Sequence, residues 1–188
     1  MTKENYSNTI KPRIIELNQL VSKRFLLRDL CEKDGNEVYL SWMNDPTIHK
    51  HILASKNTQS LMELKAYIKS KSNHDSVRFF GIFDKNKRIH IGNIKYEPIN
   101  LAMNFAVMGV MIGDPSFRGI GAFAEVYLIS AQYIQNIYNI NKIFLGVSKC
   151  NLAAIKSYEK SGFVVTKDHP FGETYSGIAM VNFLKSSV

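Results

Sequence analysis

The sequence predicts one α+β domain, in which a mixed β-sheet carries helices on both of its faces. The first observation behind this prediction is the order of the apolar patterns: strand, two helices, three strands, helix, strand, helix and two strands. The second is size, because 188 residues with 45% hydrophobic content are enough to build a single core. The third is continuity, since no internal repeat, linker or low-complexity tract divides the chain.

Each element is predicted from a local pattern. Alternating apolar residues indicate strands, and apolar residues at helical spacing behind a capping residue indicate helices. Asn57 or Thr58 is expected to cap the second helix. The predicted strands are 24–30, 77–83, 88–96, 104–112, 143–147, 164–166 and 176–184, and the predicted helices are 31–43, 57–71, 119–138 and one that starts at Asn151. Residues 1–22 are predicted to be a partly ordered N-terminal extension, which leaves 23–188 as the domain.

A glycine-containing turn joins the strand at 104–112 to the long helix after it. Pro115 cannot donate to a strand ladder, so the strand is expected to end before it. The first helical turn is then expected at Arg118, Gly119, Ile120, Gly121 and Ala122. Uncovered backbone N–H groups at a helix start favour a phosphate group, and a guanidinium can bind phosphate oxygens in pairs. The turn therefore predicts a site for a phosphorylated ligand, although a helix start that needs close backbone packing has the same pattern.

Two common glycine-rich phosphate sites do not fit this turn. A dinucleotide fingerprint needs a third glycine and an acidic residue downstream, and a P-loop needs Gly-Lys-Ser/Thr. A second motif, the run from Asn151 to Phe163, follows about thirty residues later and strengthens the ligand interpretation.

Together the two motifs resemble those of the GCN5-related N-acetyltransferases. That family has a Gln/Arg-x-x-Gly-x-Gly/Ala loop for pyrophosphate after its fourth strand and an Asn-x-x-Ala-x-x-x-Tyr-x-Lys-x-Gly-Phe helix after its fifth. Arg118, Gly121 and the run Asn151 to Phe163 match in type and spacing, whereas Phe123 stands where the loop has Gly or Ala. The resemblance covers roughly residues 23–184. It implies acetyl-CoA as cosubstrate and a mostly antiparallel, twisted sheet that splays between strands four and five to admit the pantetheine arm.

The resemblance also implies roles for the cofactor-binding residues. Residues 118–122 are expected to hold the pyrophosphate. The main chain of Val110, Met111 and Ile112 is expected to polarise the acetyl carbonyl. Asn151 is expected to contact the pantetheine amide in addition to capping its own helix.

Tyr158 is the predicted catalytic acid. It lies seven residues after Asn151, or two helical turns, so both side chains are expected to face the gap in the sheet. A phenol, with a pKa of ~10, can protonate or hydrogen-bond a leaving thiolate, whose pKa is ~8.5, without being ionised at neutral pH. The alternative is a half-buried core tyrosine that shares a helix face with Ile155.

The general base is not evident from the sequence. Many relatives place a Glu on the fourth strand about ten residues before the loop arginine, and the matching residue here is Met108. No carboxylate lies between residues 97 and 114. His49, His51 and His90 are the ionisable alternatives, and water suffices if the acceptor amine has a lowered pKa.

The acceptor is expected to bind behind the first predicted helix, against Trp42, Asn44 and His49 or His51. The Trp-x-Asn-Asp-Pro segment resembles the family branch that contains ribosomal-protein acetylating enzymes and nucleotide-linked amino-sugar acetyltransferases. An aromatic ring with Asn and His donors suits a sugar or a nucleotide base. The alternative places Trp42 in the core beneath the loop.

Three functions therefore stay open. The first is N-acetylation of a small primary amine, preferably a nucleotide-linked amino sugar. The second is acetylation of protein N-termini, as in the ribosomal-protein enzymes. The third is a non-catalytic coenzyme A-binding domain or a basic nucleic-acid binder.

Charge and composition limit the kinds of binding partner that the sequence predicts. The net charge of +8 is scattered without a basic stripe, which favours a polyanionic small ligand over nucleic acid. No apolar run approaches the ~20 residues of a membrane span, so no membrane partner is expected. The two cysteines form no metal pattern, and a cytoplasmic monomer or homodimer without a metal is predicted.

Overall fold

The computed structural model describes residues 19–49, 60–72 and 74–185, the side chain of His49 excepted. Its strands are β1 (Leu20–Val21), β2 (Phe25–Asp29), β3 (Arg78–Asp84), β4 (His90–Asn100), β5 (Phe105–Ile112), β6 (Lys142–Val147), β7 (Val164–Val165) and β8 (Ile178–Phe183). Its helices are α1 (Glu37–Asn44), α2 (Pro46–His49), α3 (Leu61–Lys71), α4 (Ala122–Tyr138) and α5 (Leu152–Lys160). No helix in these described ranges is long and apolar enough to cross a bilayer.

The strands form one sheet in the order β1-β2-β3-β4-β5-β6-β8-β7. All neighbouring pairs are antiparallel except β5 and β6, which run parallel. These two strands pair only from Phe105 to Val107 on β5 and from Lys142 to Phe144 on β6. Beyond that point they separate, which confirms the predicted mixed sheet with a splay between the strands at 105–112 and 142–147.

Helices cover both faces of the sheet, as predicted. Side chains on neighbouring positions of a strand point to opposite faces. On β3, Phe79 packs with the buried residues of α1 and α3, whereas Phe80 packs with those of α4. The α5 residues Ala154, Ile155 and Tyr158 pack against the same cluster as α4. The gap in the sheet therefore lies between two helical layers.

The predicted boundaries are wrong at the edge of the sheet and at the start of the first helix. Leu20 and Val21, assigned to the N-terminal extension, pair with β2 at the edge of the sheet. The first helix begins at Glu37 and not at residue 31, because Gly35 ends a short 3₁₀ turn and Asn36 caps α1 by accepting a hydrogen bond from the Tyr39 N–H.

Two further helix starts differ from the prediction. Helix α3 begins at Leu61 behind a Ser60 cap, whereas the predicted caps Asn57 and Thr58 lie outside the described residues. Ser60 and Glu63 form a reciprocal capping box that fixes this start. Helix α4 begins at Ala122 and not at residue 119, because the glycines before it have a left-handed backbone that a helix cannot contain.

Candidate active site

A cleft of about 960 Å³ opens where β5 and β6 separate. One wall comes from β5, and the other comes from β6, the start of α5 and the loop before β8. Helices α1, α2 and α3 and strand β4 close one end. The cleft is lined by Tyr39, Met43, Thr47, Ile48, Tyr67, Phe79, Asn93, Lys95, Glu97, residues 107–112, Arg118, residues 145–149, Asn151, Tyr158, Phe171 and residues 175–177.

Strand β5 presents free backbone groups to this cleft. Alternate residues of a strand direct their backbone groups to opposite neighbours. Gly113 donates its N–H to the Ile91 carbonyl of β4, so the main-chain groups of Met111 face β4, while those of Val110 and Ile112 face the side where β6 has moved away. Of the three residues predicted to polarise a carbonyl, Val110 and Ile112 therefore have main-chain groups directed to the cleft, and Met111 does not.

The turn at 118–122 is shaped by two glycines in the left-handed region. Gly119 has φ +74° and Gly121 has φ +78°, a conformation that side chains with a Cβ rarely adopt. A Cβ at Gly119 would meet no atom within 4 Å, and one at Gly121 would come within that range only of Arg24 Nη2, at 3.9 Å. Glycine is therefore required at these two positions by the left-handed backbone and not by crowding from neighbouring atoms. Gly121 precedes α4 without a side-chain cap, which leaves the N–H groups of the first turn available to an anion.

Arg118 lines the cleft and braces the end of β5. Its Nε donates to the Ile112 carbonyl at 2.9 Å, and its Nη2 donates to the Gly113 carbonyl. The guanidinium still has N–H groups without a partner among the described residues, because Nη1 makes no hydrogen bond there. Arg118 can thus hold the turn in place and contribute positive charge to a phosphate at the same time.

A second arginine braces the turn from the opposite side. Arg24 Nη1 donates to the Ile120 carbonyl at 3.1 Å, while its Nε bonds Glu125 of α4 at 2.7 Å. Ser22 also donates to Glu125, at 2.8 Å. These contacts, which sequence reasoning missed, anchor the start of α4 to the segment between β1 and β2.

Asn151 and Tyr158 reach the cleft together, as their spacing predicts. Asn151 caps α5 by accepting a hydrogen bond from the Ala154 N–H at 3.2 Å. The Tyr158 hydroxyl has no hydrogen-bond partner among the described residues, although its ring is packed against Phe123 and Phe163. Burial raises the pKa of Tyr158 to about 12, so the phenol is protonated throughout the neutral range.

Phe123, the departure from the family motif, belongs to the wall that holds Tyr158. Its ring meets the Tyr158 ring edge-to-face, with 5.0 Å between centroids, and stacks on Tyr127 at 5.5 Å. Phe123 is only 8% exposed. The Phe123 side chain therefore packs against the Tyr158 ring, while the backbone of the turn at 118–122 remains free for a ligand.

The loop before β8 closes the β6 side of the cleft. Tyr175 packs directly on Gly146, where a Cβ would clash with the Tyr175 hydroxyl. Phe171 packs against the Tyr175 ring, with centroids 4.9 Å apart. This wall is difficult to predict from the sequence, because the contact between Gly146 and Tyr175 joins residues far apart in the chain.

The end of the cleft between α1, α3 and β4 carries a polar network that sequence reasoning also missed. Asn93 Nδ2 donates to the Tyr39 hydroxyl at 2.9 Å. Lys95 Nζ donates to the Tyr67 hydroxyl at 2.8 Å and to Glu97 Oε2 at 2.6 Å. One signal was present in the sequence, since Asn93, Lys95 and Glu97 recur at every second position of β4 and so share one face.

Of the predicted acceptor residues whose side chains are described, Trp42 and Asn44, neither lines this end of the cleft. Trp42 is 7% exposed and does not line the cleft; its ring packs on Gly113 and lies 5.1 Å from the His90 ring, centroid to centroid. Asn44 is exposed at the end of α1 and is also absent from the lining. His49 is described only in its backbone, and His51 lies outside the described residues. The same segment instead contributes Tyr39, Met43, Thr47 and Ile48.

Neither His90 nor Met108 offers a base. His90 is enclosed by Tyr39, Trp42 and Phe83, and its Nε2 donates to the Gly92 carbonyl at 2.8 Å. Burial lowers the pKa of His90 to about 4, and its ring lies outside the cleft lining. Met108 lines the cleft with a thioether that cannot take a proton from an amine.

The fold and the cleft together define an acetyltransferase. A model of the acetyltransferase (GNAT) domain matches residues 24–164, so the chain belongs to the GNAT family. It is accordingly an N-acetyltransferase with acetyl-CoA as its cosubstrate, which confirms the resemblance drawn from the two motifs. No curated protein matches the chain.

Solved structures share the fold at low sequence identity. The ribosomal L7/L12 alpha-N-protein acetyltransferase RimL, in complex with coenzyme A, is 15% identical with a TM-score of 0.76, over 89% of this chain and 98% of that one. A spermidine N-acetyltransferase chimera from Vibrio cholerae and hSSAT is 21% identical with a TM-score of 0.70, over 85% and 95%. The microcin C7 self-immunity acetyltransferase MccE, with acetyl-CoA and AMP, is 14% identical with a TM-score of 0.71, over 86% and 93%.

Proposed function

We propose that this enzyme acetylates a small primary amine, preferably an amino sugar on a nucleotide carrier, with Tyr158 as the catalytic acid. The observation that carries the proposal is the free Tyr158 hydroxyl in the cleft where β5 and β6 separate. The backbone N–H groups of Val110 and Ile112 face the cleft from the opposite wall. An acid and carbonyl-polarising donors on two sides of one cleft are what acyl transfer to an amine requires.

The pyrophosphate of acetyl-CoA is proposed to bind the start of α4. Two features support this placement. A ligand can approach the backbone of Gly119 and Gly121 without meeting a side chain, and the N–H groups in the first turn of α4 have no side-chain cap. Arg118 adds charge at the end of β5, and Asn151 reaches the cleft beside Tyr158. Bound acetyl-CoA supplies an acetyl group activated as a thioester.

In the proposed reaction, residues of the cleft assist the formation of an amide bond and the cleavage of the thioester bond. The amine nitrogen forms a bond to the acetyl carbon, and the carbon–sulfur bond breaks. A backbone N–H of Val110 or Ile112 stabilises the charge on the carbonyl oxygen. Tyr158 donates its proton to the departing sulfur, and the amine loses a proton to water, which later restores the phenol. The products are an N-acetyl amide and the free thiol of coenzyme A.

Water is the proposed proton acceptor because the described cleft lining offers no suitable base. Glu97 is the only carboxylate among those residues, and Lys71 and Lys95 each bind one of its oxygens at 2.6 Å. Burial acts to raise the pKa of Glu97, but the two ammonium groups outweigh it and hold the pKa below its usual range. A carboxylate in that state is a weak base.

A sugar or a nucleotide base suits the acceptor end because tyrosines and an amide converge there. Tyr39, Tyr67 and Asn93 combine ring surface with hydrogen-bonding groups. One structural neighbour was solved with acetyl-CoA and AMP, which also supports a nucleotide-bearing acceptor. Peptide N-termini are the second candidate, because RimL, a ribosomal-protein acetyltransferase, has the same fold.

Thiol release from acetyl-CoA, followed with a panel of amines, tests the proposal. The panel contains amino sugars, nucleotide-linked amino sugars, spermidine and peptides with a free N-terminus. Turnover of an amino sugar supports the proposal. Acetylation of peptide N-termini without turnover of any amino sugar would replace it by the protein-modifying alternative.

Removing charge or straining the turn at 118–122 should weaken acetyl-CoA binding. Arg118→Ala removes a charge-assisted contact and the brace on Ile112 and Gly113, which predicts a loss of roughly 10-fold or more in affinity. Gly121→Val places a β-branched residue at φ +78°, so the turn must change its backbone and the affinity should also fall.

Calorimetric titration with acetyl-CoA measures both effects. Arg88→Ala is the matched control, since it removes an arginine from the turn between β3 and β4, outside the cleft lining. Wild-type affinity in both Arg118→Ala and Gly121→Val would place the pyrophosphate elsewhere.

A further inference from the structure

Four side chains form a connected ionic network at the acceptor end of the cleft. Glu97 accepts from Lys71 at Oε1 and from Lys95 at Oε2, both at 2.6 Å. Lys95 also donates to the Tyr67 hydroxyl at 2.8 Å. Three members, Tyr67, Lys95 and Glu97, line the cleft, while Lys71 supports Glu97 from α3. The network is partly buried, with 21% of the Lys95 side chain and 27% of the Glu97 side chain exposed.

This network carries a surplus of positive charge. It contains two ammonium groups and one carboxylate, and both oxygens of that carboxylate are already bound. Burial acts to lower the pKa of Lys95, but Tyr67 and Glu97 outweigh it, so the pKa is raised and the ammonium is charged at neutral pH. An ammonium has three donors, and the structure gives Lys95 two partners, Tyr67 and Glu97. The third donor of Lys95 has no hydrogen-bond partner among the described residues and can serve a ligand in the cleft.

The geometry points to Lys95, supported by Tyr67, as the binding site for a phosphate group on the acceptor amine. This inference rests on the proposed function, because it names what binds at the acceptor end of the same cleft. A phosphorylated amino sugar or a nucleotide-diphosphate-linked one supplies the required anion. A polyamine such as spermidine supplies further cations, which a wall with surplus positive charge disfavours.

Lys95 lies apart from the groups proposed to hold the cosubstrate phosphates. Across the β4–β5 pair it lies opposite Gly109, whereas Arg118 bonds the carbonyls of Ile112 and Gly113 at the end of β5. Lys95 packs over the Tyr67 and Phe79 rings, on the face covered by α1 and α3. The α4 turn belongs to the opposite helical layer. The two positive regions can therefore serve two different anions.

Matched acceptors test this inference. Glucosamine, glucosamine 6-phosphate, uridine-diphosphate-linked glucosamine and spermidine are compared by kcat/KM at saturating acetyl-CoA. We expect one of the phosphorylated amines to exceed glucosamine by about 10-fold or more, the usual scale of a charge-assisted hydrogen bond. The two phosphorylated amines distinguish a phosphate on the sugar from a nucleotide diphosphate.

Variants of Lys95 then separate recognition from folding. Lys95→Met should lower kcat/KM for the phosphorylated amine by about 10-fold relative to kcat/KM for glucosamine in the same variant, and Lys95→Arg should keep the preference. Lys142→Met, which removes a lysine of β6 outside the cleft lining, should behave as the wild type. If Lys95→Met does not fold, Tyr67→Phe, which removes only the hydroxyl that bonds Lys95, should weaken the same preference.

The outcomes distinguish the two proposals. Equal use of glucosamine and its phosphorylated forms, or a preference unchanged in Lys95→Met, would overturn the inference and leave the proposed function standing. A preference for spermidine would also overturn the inference, and of the proposed function it would leave only the acetylation of a small primary amine with Tyr158 as the acid. Failure to acetylate any amine would overturn the proposed function, and the inference with it.

Discussion

Tyr158→Phe is expected to reduce kcat by ~10²–10⁴-fold, the usual range for a lost general acid, while acetyl-CoA affinity stays near the wild-type value. The substitution keeps the ring that packs edge-to-face on Phe123 and also contacts Phe163. It removes only a hydroxyl that bonds no described residue, so the melting temperature should also be unchanged. Steady-state kinetics, calorimetry and thermal unfolding measure the three quantities.

Tyr133→Phe is the matched control for the loss of a phenol. Tyr133 lies on α4, packs against Phe80 and does not line the cleft, so its variant should turn over normally. Unchanged turnover in Tyr158→Phe, with chemistry shown to limit the rate, would assign Tyr158 to core packing.

The pH profile of kcat gives an independent check on Tyr158. An acid must be protonated to act, and burial raises the pKa of this phenol to about 12. Its ionisation should therefore not reduce kcat below about pH 11, one unit short of that pKa. A decline of kcat between pH 8 and 10 that is absent in Tyr158→Phe would contradict the raised pKa.

Much of the fold was predictable because its signals are local. The strand at 104–112 runs directly into the turn with two glycines, and the run from Asn151 to Phe163 follows about thirty residues later, each with its own local pattern. Their family resemblance led to the splayed sheet, and the splay is present between β5 and β6. The boundary errors have a local cause too, because periodicity alone does not reveal that Gly119 and Gly121 take a left-handed backbone that a helix cannot include.

The acceptor end was not predictable to the same degree because long-range contacts build it. Tyr39 meets Asn93 across a separation of 54 residues, and Lys95 meets Tyr67 across 28. No spacing rule along the chain relates such pairs. The Trp-x-Asn-Asp-Pro motif led to the prediction that Trp42 binds the acceptor. The buried face of α1 packs into the core, however, and a single tryptophan is compatible with either location.

Trp42→Ala is expected to lower the free energy of unfolding by roughly 3–5 kcal/mol, as for other large aromatic residues removed from a core. The ring is 7% exposed and lies in one buried cluster with Tyr39, Met43 and Met111. It also packs on Gly113, so closely that a Cβ there would overlap the indole. Gly113→Ala should consequently destabilise the fold by displacing the same ring, without removing any side-chain atom.

The contact with Gly113 gives Trp42 an indirect link to the site. The Gly113 carbonyl accepts a hydrogen bond from Arg118, and the Trp42 indole packs on Gly113. The indole therefore helps to position the end of β5. Trp42→Phe retains part of this support and should cost less stability than Trp42→Ala, with an unchanged KM for the acceptor. Urea unfolding and acceptor kinetics on these variants measure the two effects. A raised acceptor KM in Trp42→Phe at the wild-type melting temperature would instead place the ring against the acceptor.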